Sequence, residues 1–267
     1  FAPLFETVRE ALSAESLLPR FGVGYVAAAN AKLARTQDLR KLFSPAQIAS
    51  LFEAEGGLVW LSEEITRDRT PELRRYLMQE LDVDEVEPET ILPLLNKSFL
   101  EAQSDRWVLK LYEFLSAQSA LQYSWEGLPL VRLKDGTHVV AYVDEQPQAF
   151  LPGESETSFP TMRPTVCATK KARDFLRSLG LTEPDPVDDV IRNVLPRYRS
   201  NKVNVSNEDY AADIRRILAA FGTDSKDWRN KLLGALHATS FVMAVNAGDR
   251  SKWISKPGDI YLATERL

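Results

Sequence analysis

The stretch SDRWVLKLYEFLSAQ at residues 104–118, followed by LPLVRLKDGTHVVAYV at 128–143, decides the fold class. In the first run Trp107, Leu111, Phe114 and Leu115 recur at i, i+4, i+7 and i+8, the spacing of one buried helix face. Ser104 offers an N-cap oxygen, and Asp105 puts a negative charge at the positive end of the helix dipole. On this reading Trp107 and Tyr112 belong to the core and its rim rather than to a base-stacking platform. In the second run the period drops to two, and Asp135-Gly136 supplies the turn of a β-hairpin. QAFLP (148–152) reads as a third strand. A helix feeding a small antiparallel sheet makes this an α+β chain, predominantly helical.

Outward from that stretch the chain falls into three segments. Residues 1–125 read as a mainly helical subdomain, 126–168 as a hairpin and small sheet, and 169–267 as a helical subdomain ending in a second small sheet. In the first segment Phe5, Val8, Leu12 and Glu15 sit at helical spacing, and GYVAAANAKLA (24–34) fits either a strand pair or a helix start. Ser44-Pro45 opens a helix that Gly56-Gly57 closes, LVWL (58–61) is a buried strand, and Thr70-Pro71 opens another helix. The acidic run DVDEVEPE (82–89) reads as a solvated connector. In the last segment helices are expected at 170–180, 185–195, 206–221 and 225–237, then period-two patterns in SFVMAVNAG and IYLAT. Residues 104–151 and 225–262 share one order of features: helix, apolar strand, Gly turn, Pro, aromatic-Leu. That is a weak internal repeat.

Composition narrows the function classes. The 267 residues are 44% hydrophobic and 27% charged, which excludes disordered and collagenous chains. Lys plus Arg total 33 against 38 for Asp plus Glu, a net charge of −5, which disfavours a duplex-binding module. No apolar run approaches the roughly 18 residues of a membrane span. Cys167 is the single cysteine, so an internal disulfide and a multi-cysteine zinc site are both excluded. A reducing cytoplasm fits best. The chain opens at Phe1 within a helical pattern, without an initiator Met or a signal-peptide pattern, so a longer parent protein is expected.

Catalytic groups are scarce. Cys167 lies just before Lys170, Lys171 and Arg173, where a helix start could activate a thiol, but no histidine is near it in sequence and a buried filler is the better reading. His138 and His237 read as structural. No phosphate-binding Gly loop occurs, and the neighbouring carboxylates Glu63-Glu64 and Asp188-Asp189 splay apart on a helix and read as surface residues. The densest basic stretch gives a candidate interaction face of Arg163, Lys170, Lys171, Arg173, Arg177, Arg192, Arg197 and Arg199. If the 170–195 helices formed a helix-turn-helix, that face could meet nucleic acid, and this is the alternative function. Asp174, Asp185, Asp188 and Asp189 interleave with it, as on a mixed-charge surface.

Several runs carry a family resemblance: EEITRDRTPELRRYL (63–77), QSDRWVLKLYEFL (103–115), PLVRLKDGTHV (129–139), FLPGESETSFPTMRPTVC (150–167), ARDFLRSLGLTEPDPVDDVIRNVLPRY (172–198) and DIYLATERL (259–267). Together they resemble the long middle section of large bacterial sacsin-like proteins, which carry a GHKL-type ATPase domain at the N-terminus and share their layout with plant proteins of the NO VEIN kind. The resemblance implies a non-catalytic segment that couples nucleotide state to a protein client, chaperone-like or serving bacterial antiviral defence. ATP and Mg are then expected only in an upstream domain, with no cofactor or metal here. The Asn-bearing helix, Asp-x-Gly turn and Gly-rich lid of a GHKL site are missing from this stretch, so no ATP-site residue carries over. Relatives of this kind contribute a middle-domain Arg to the γ-phosphate, for which Arg35, Arg132 and Arg163 are the contenders.

Overall fold

The computed structural model describes residues 2–54, 56–118, 125, 127–153, 156–199, 205–245 and 251–260. The chain forms two compact units, Phe1–Gln148 with Arg163–Gly180, and Ala149–Met162 with Leu181–Leu267. Each unit is therefore built from two stretches of sequence. Helix dominates the described residues, and most strands are paired antiparallel in twos, an α+β fold of predominantly helical kind.

The first unit opens with helix α1 (Ala2–Ala14), whose Leu12 packs against the core while Phe5 and Val8 stay exposed. Strands β1 (Leu18–Pro19) and β2 (Tyr25–Val26) pair antiparallel. Strand β3 (Ala31–Ala34) then becomes the centre of a parallel sheet, with β4 (Val59–Trp60) on one side and β5 (Glu85–Val86) on the other. Parallel neighbours need a crossover of a dozen residues or more, usually helical. Helices α2 (Gln37–Leu42) and α3 (Pro45–Leu51) make the first crossover and α4 (Pro71–Glu80) the second. The cap on α3 is a reciprocal box between Ser44 and Gln47. That helix stops before Gly56-Gly57 because Glu53 already takes a left-handed conformation, φ 51°. Ala31, Leu33, Leu61, Leu77 and Val83 fill the core beneath the sheet.

The acidic run 82–89 is not a solvated connector. Its middle is β5, and each of three carboxylates meets a base: Asp84 meets Lys32, Glu87 meets Arg35, and Glu85 lies between Arg74 and Arg67. The Glu85 side chain is only 5% exposed. Burial acts to raise its pKa, but hydrogen bonds and charge from Arg74 and Arg67 hold it below the ordinary carboxylate range. Charge that looks unbalanced along the sequence is balanced across the sheet.

Short helices α5 (Pro88–Ile91) and α6 (Lys97–Glu101) lead into α7 (Asp105–Ser116). Ser104 accepts from the Trp107 N–H, as an N-cap should. The buried face of α7 holds Val108, Leu111, Tyr112, Phe114 and Leu115. Tyr112 is fully buried against Phe175 of α8 (Lys170–Ser178), and its hydroxyl donates to the Leu130 carbonyl at 2.5 Å. Trp107 is half-buried, with its indole N–H on the Leu42 carbonyl at 2.8 Å. The hairpin follows as β6 (Val131–Arg132) and β7 (His138–Val139), with Arg132 opposite His138. A second pair joins β8 (Tyr142–Val143) to β9 (Gln146–Pro147). QAFLP does not form a third strand: Gln148 N–H closes on the Ala141 carbonyl, the chain passes to the second unit at Ala149, and only an isolated bridge from Phe150 to Thr161 remains.

In the second unit the helix expected at 185–195 divides into three geometries. Asp185 caps α9 (Pro186–Asp189), residues Val190–Val194 widen into a π-helix, and Leu195–Tyr198 tighten into a 3₁₀ turn. Pro196 has no N–H to continue an α-helical ladder, and Leu195 N–H reaches back to the Val190 carbonyl. Helices α10 (Asn207–Phe221) and α11 (Lys226–Ala238) pack with this segment around Val187, Val190, Val194, Ile217, Leu232 and Leu236. Strands β10 (Val242–Val245) and β11 (Lys252–Ser255) pair antiparallel behind α11. A helix followed by an antiparallel pair thus occurs at both segments of the weak repeat. The Gly248 and Tyr261-Leu262 positions of the second copy, and IYLAT beyond Ile260, lie outside the described residues.

The Asp135-Gly136 turn gives a direct test. Leu133 N–H donates to the Thr137 carbonyl at 2.9 Å, and Gly136 sits at φ 95°, where L-residues are strained. A Cβ at Gly136 would also lie 3.3 Å from Nη2 of Arg163. Gly136→Ala is expected to lower unfolding stability by about 1–2 kcal/mol in urea titration. A change within about 0.5 kcal/mol would mean that the turn adopts another conformation in solution.

Candidate functional site

The strongest polar constellation of the first unit gathers around Asp105. Its position in the first turn of α7 follows from the Ser104 cap, and its carboxylate accepts from Nη1 of Arg163 at 3.0 and 3.3 Å and from the Thr165 hydroxyl at 2.6 Å. Nε of Arg132 lies 3.0 Å from the same carboxylate as an ion pair, without the alignment of a hydrogen bond. Burial acts to raise the Asp105 pKa, but Thr165, Arg163 and Arg132 outweigh it, so the carboxylate stays ionised below its ordinary range. Arg132 is buried, and its Nη1 donates to the carbonyls of Leu100 and Gln103, capping the C-terminal end of α6. Arg163 also binds the Lys134 carbonyl through Nε and Nη2.

His138 completes this cluster. Nδ1 lies 2.9 Å from the Pro129 carbonyl, which can only accept, so Nδ1 carries the proton. Nε2 is then the acceptor facing Nη1 of Arg132 at 3.4 Å. Burial pushes the imidazole pKa down to about 4, helped by Arg132 and opposed by the Pro129 bond. A neutral ring locked between a carbonyl and a guanidinium is a structural group. Cys167 is likewise buried, and burial pushes its thiol up to about 11, with Arg173 acting weakly the other way. The helix start and nearby bases therefore do not activate it.

The eight basic residues of the expected face are distributed over both units. Arg163, Lys170, Lys171, Arg173 and Arg177 belong to the first, and Arg192, Arg197 and Arg199 to the second. The two helices of the supposed helix-turn-helix are divided in the same way. Arg177 lies 3.9 Å from Asp174, Arg192 bonds Asp188, Arg197 bonds Asp213, and Nε of Arg173 bonds the Cys167 carbonyl. Lys170, Lys171 and Arg199 are exposed. The contenders for a phosphate contact are also engaged: Arg35 with Glu87, and Arg132 and Arg163 with Asp105.

The second unit holds a buried ionic network that the sequence did not disclose. Asp189, 2% exposed, accepts from Ser158 N–H at 3.1 Å, from Asn193 at 2.8 Å and from Arg216. Asp213, 1% exposed, accepts from the Tyr198 hydroxyl at 2.8 Å and from Arg197 at 3.2 Å, with Arg216 at 3.7 Å. Of the pair read as surface residues, only Asp188 faces the surface; helical splay sends Asp189 inward to meet Arg216. Beside Tyr198 opens a cavity of about 420 Å³, walled by Ile191 of the π-helix, Leu195 and α11, with Arg199, Ser240 and Lys256 among its lining. A second cavity, of about 290 Å³ between α10 and α11, is almost wholly apolar.

Among the described residues no group of three or more His, Cys, Asp or Glu side chains could hold a metal ion, and no helix is long and apolar enough to cross a membrane. No known family model matches the chain, and neither a curated protein nor a solved structure matches it.

The state of His138 sets a pH dependence. An unfolded imidazole takes its proton near pH 6.5, and the folded ring only near pH 4. Between those values the unfolded chain binds more protons, so stability falls as pH falls. Unfolding stability is expected to drop by roughly 2–3 kcal/mol from about pH 6.5 to about pH 4.5, and His138→Asn should remove most of that slope. An unchanged slope in the variant would show that the ring is not buried neutral.

Proposed function

We propose that this chain is a non-catalytic coupling segment of a sacsin-like ATPase, passing nucleotide state to a protein client in a chaperone-like or defence role in the cytoplasm. The observation that carries the reading is the Asp105 cluster. Its members come from three of the runs that resemble the sacsin-like middle section: Asp105 from 103–115, Arg132 and His138 from 129–139, Arg163 and Thr165 from 150–167. The residues that carry the likeness are those that hold the helix, the hairpin and the following turn in one arrangement. A fourth run, 172–198, supplies Asp189, Arg197 and Tyr198 to the ionic network of the second unit. Polar groups used this way support a part that transmits position rather than one that reacts.

On this reading ATP and Mg bind in another domain of the parent protein. Of the three contenders for a γ-phosphate contact, Arg35 is the most exposed, at 39% of its side chain, and would exchange Glu87 and a longer 3.8 Å contact with Glu85 for the nucleotide. Arg132 would have to leave the α6 carbonyls and the Asp105 carboxylate together.

Peptide sequencing and sizing of the native protein from its source cells test the proposal. The expected product is far larger than 30.1 kDa, with an Asn-bearing helix and an Asp-x-Gly turn upstream, and the isolated chain turns over no ATP. A native species near 30.1 kDa, or ATP turnover by the isolated chain that a single Asp or Arg substitution abolishes, would overturn it.

A further inference from the structure

The cavity beside Tyr198 has three features that together describe a ligand, and its reading is independent of the coupling role. The first is size: about 420 Å³ lies within the range of small-molecule sites. The second is division of the lining by polarity. Ile191, Leu195, Ala235 and Ala238 give an apolar wall, while Arg199 and Lys256 supply two cations. Among the described residues no acidic side chain lines it. Ser240 adds a hydroxyl, whereas the Thr239 hydroxyl is spent on the Ala235 carbonyl at 2.9 Å. The third is a stiffened frame. Ile191 of the lining belongs to the π-helix Val190–Val194, a geometry that is rare and concentrates at functional sites. Tyr198 is anchored there by Asp213, which Arg197 and Arg216 hold in turn.

The cations bear on the choice of ligand because this cavity lies at the C-terminal end of α11, where helix carbonyls make the local potential negative. An anion is held there only if the arginine and the lysine outweigh that dipole. A cationic ligand would meet both of them, and a neutral apolar one would leave them unused. We propose that this cavity binds a small amphipathic anion, with its carboxylate or phosphate head on Arg199 and Lys256 and its apolar body on Ile191, Leu195, Ala235 and Ala238.

Isothermal titration of the chain with octanoate, octyl phosphate and 1-octanol tests this. Either anion is expected to bind saturably at one site, and to weaken as salt is raised. Arg199→Gln with Lys256→Gln should weaken it about tenfold or more, since losing charge-assisted bonds of about 1.4 kcal/mol costs that factor. Both side chains are exposed, so circular dichroism should show the double variant folded as the parent is. Ala238→Trp, which fills the apolar side, should abolish binding. Tighter octanoate identifies a fatty-acid-like ligand, and tighter octyl phosphate a phosphorylated one. The proposal is overturned by no saturable binding of either anion, by equal binding of octanol, or by binding that the double variant leaves unchanged.

Discussion

The Asp105 carboxylate is the contact on which the first unit depends. It stands at the start of α7, where the helix dipole favours a negative charge, and takes hydrogen bonds from Arg163 and Thr165 while Arg132 pairs with it from the hairpin. Arg132 in turn closes the carbonyl end of α6, so one guanidinium completes the end of one helix and the start of the next. Without the carboxylate, a buried guanidinium would keep its desolvation cost and lose its counter-charge, a change worth several kcal/mol in comparable buried pairs. The hairpin's position then follows. Its turn passes close to Arg163, where a Cβ at position 136 would be strained by the positive φ and would lie 3.3 Å from the guanidinium.

The second unit meets the same constraint with a different set of groups. Two carboxylates, Asp189 and Asp213, are taken out of water, and Arg216 reaches both. Arg197 and the Tyr198 hydroxyl complete Asp213, and Ser158 with Asn193 complete Asp189. Burial of such a set adds little net stability, but it selects one arrangement, since any other strands a charge. Both units thus use ionised groups as fixed joints. On the proposed coupling role, a segment that relays movement between neighbours would need internal parts that do not shift against each other.

Local signals made much of the helical framework legible. The Ser104 cap, the Ser44-Pro45 start, the Gly136 turn and the amphipathic stripe of α7 are each set by residues within one or two turns. The parallel sheet was not legible, because β4 and β5 are two residues long and their partner lies tens of residues away. Glu85 read as a loop residue for that reason: Arg74 and Arg67 reach it across the fold. The π-helix had only Pro196 as a signal, which marks a helix end without saying how the preceding turn relaxes. For the site the lesson is sharper. Asp105 was singled out for its place in the helix, but its meeting with Arg132 and Arg163 spans 27 and 58 residues. Asp189 stands beside Asp188 and so read as a surface charge, whereas Asp213, between Ala212 and Ile214, is three residues after Tyr210 and four before Ile217, a spacing that places it on the buried face.

The central claim is that the Asp105 cluster acts as one joint. A double-mutant cycle on Asp105 and Arg163, read by urea unfolding at neutral pH, tests it most directly. Asp105→Asn and Arg163→Gln should each destabilise the chain, and the double variant should lose less than the sum, with a coupling of about 1–3 kcal/mol. Additivity within about 0.3 kcal/mol would contradict it, and would mean that the carboxylate and the guanidinium contribute separately rather than through each other.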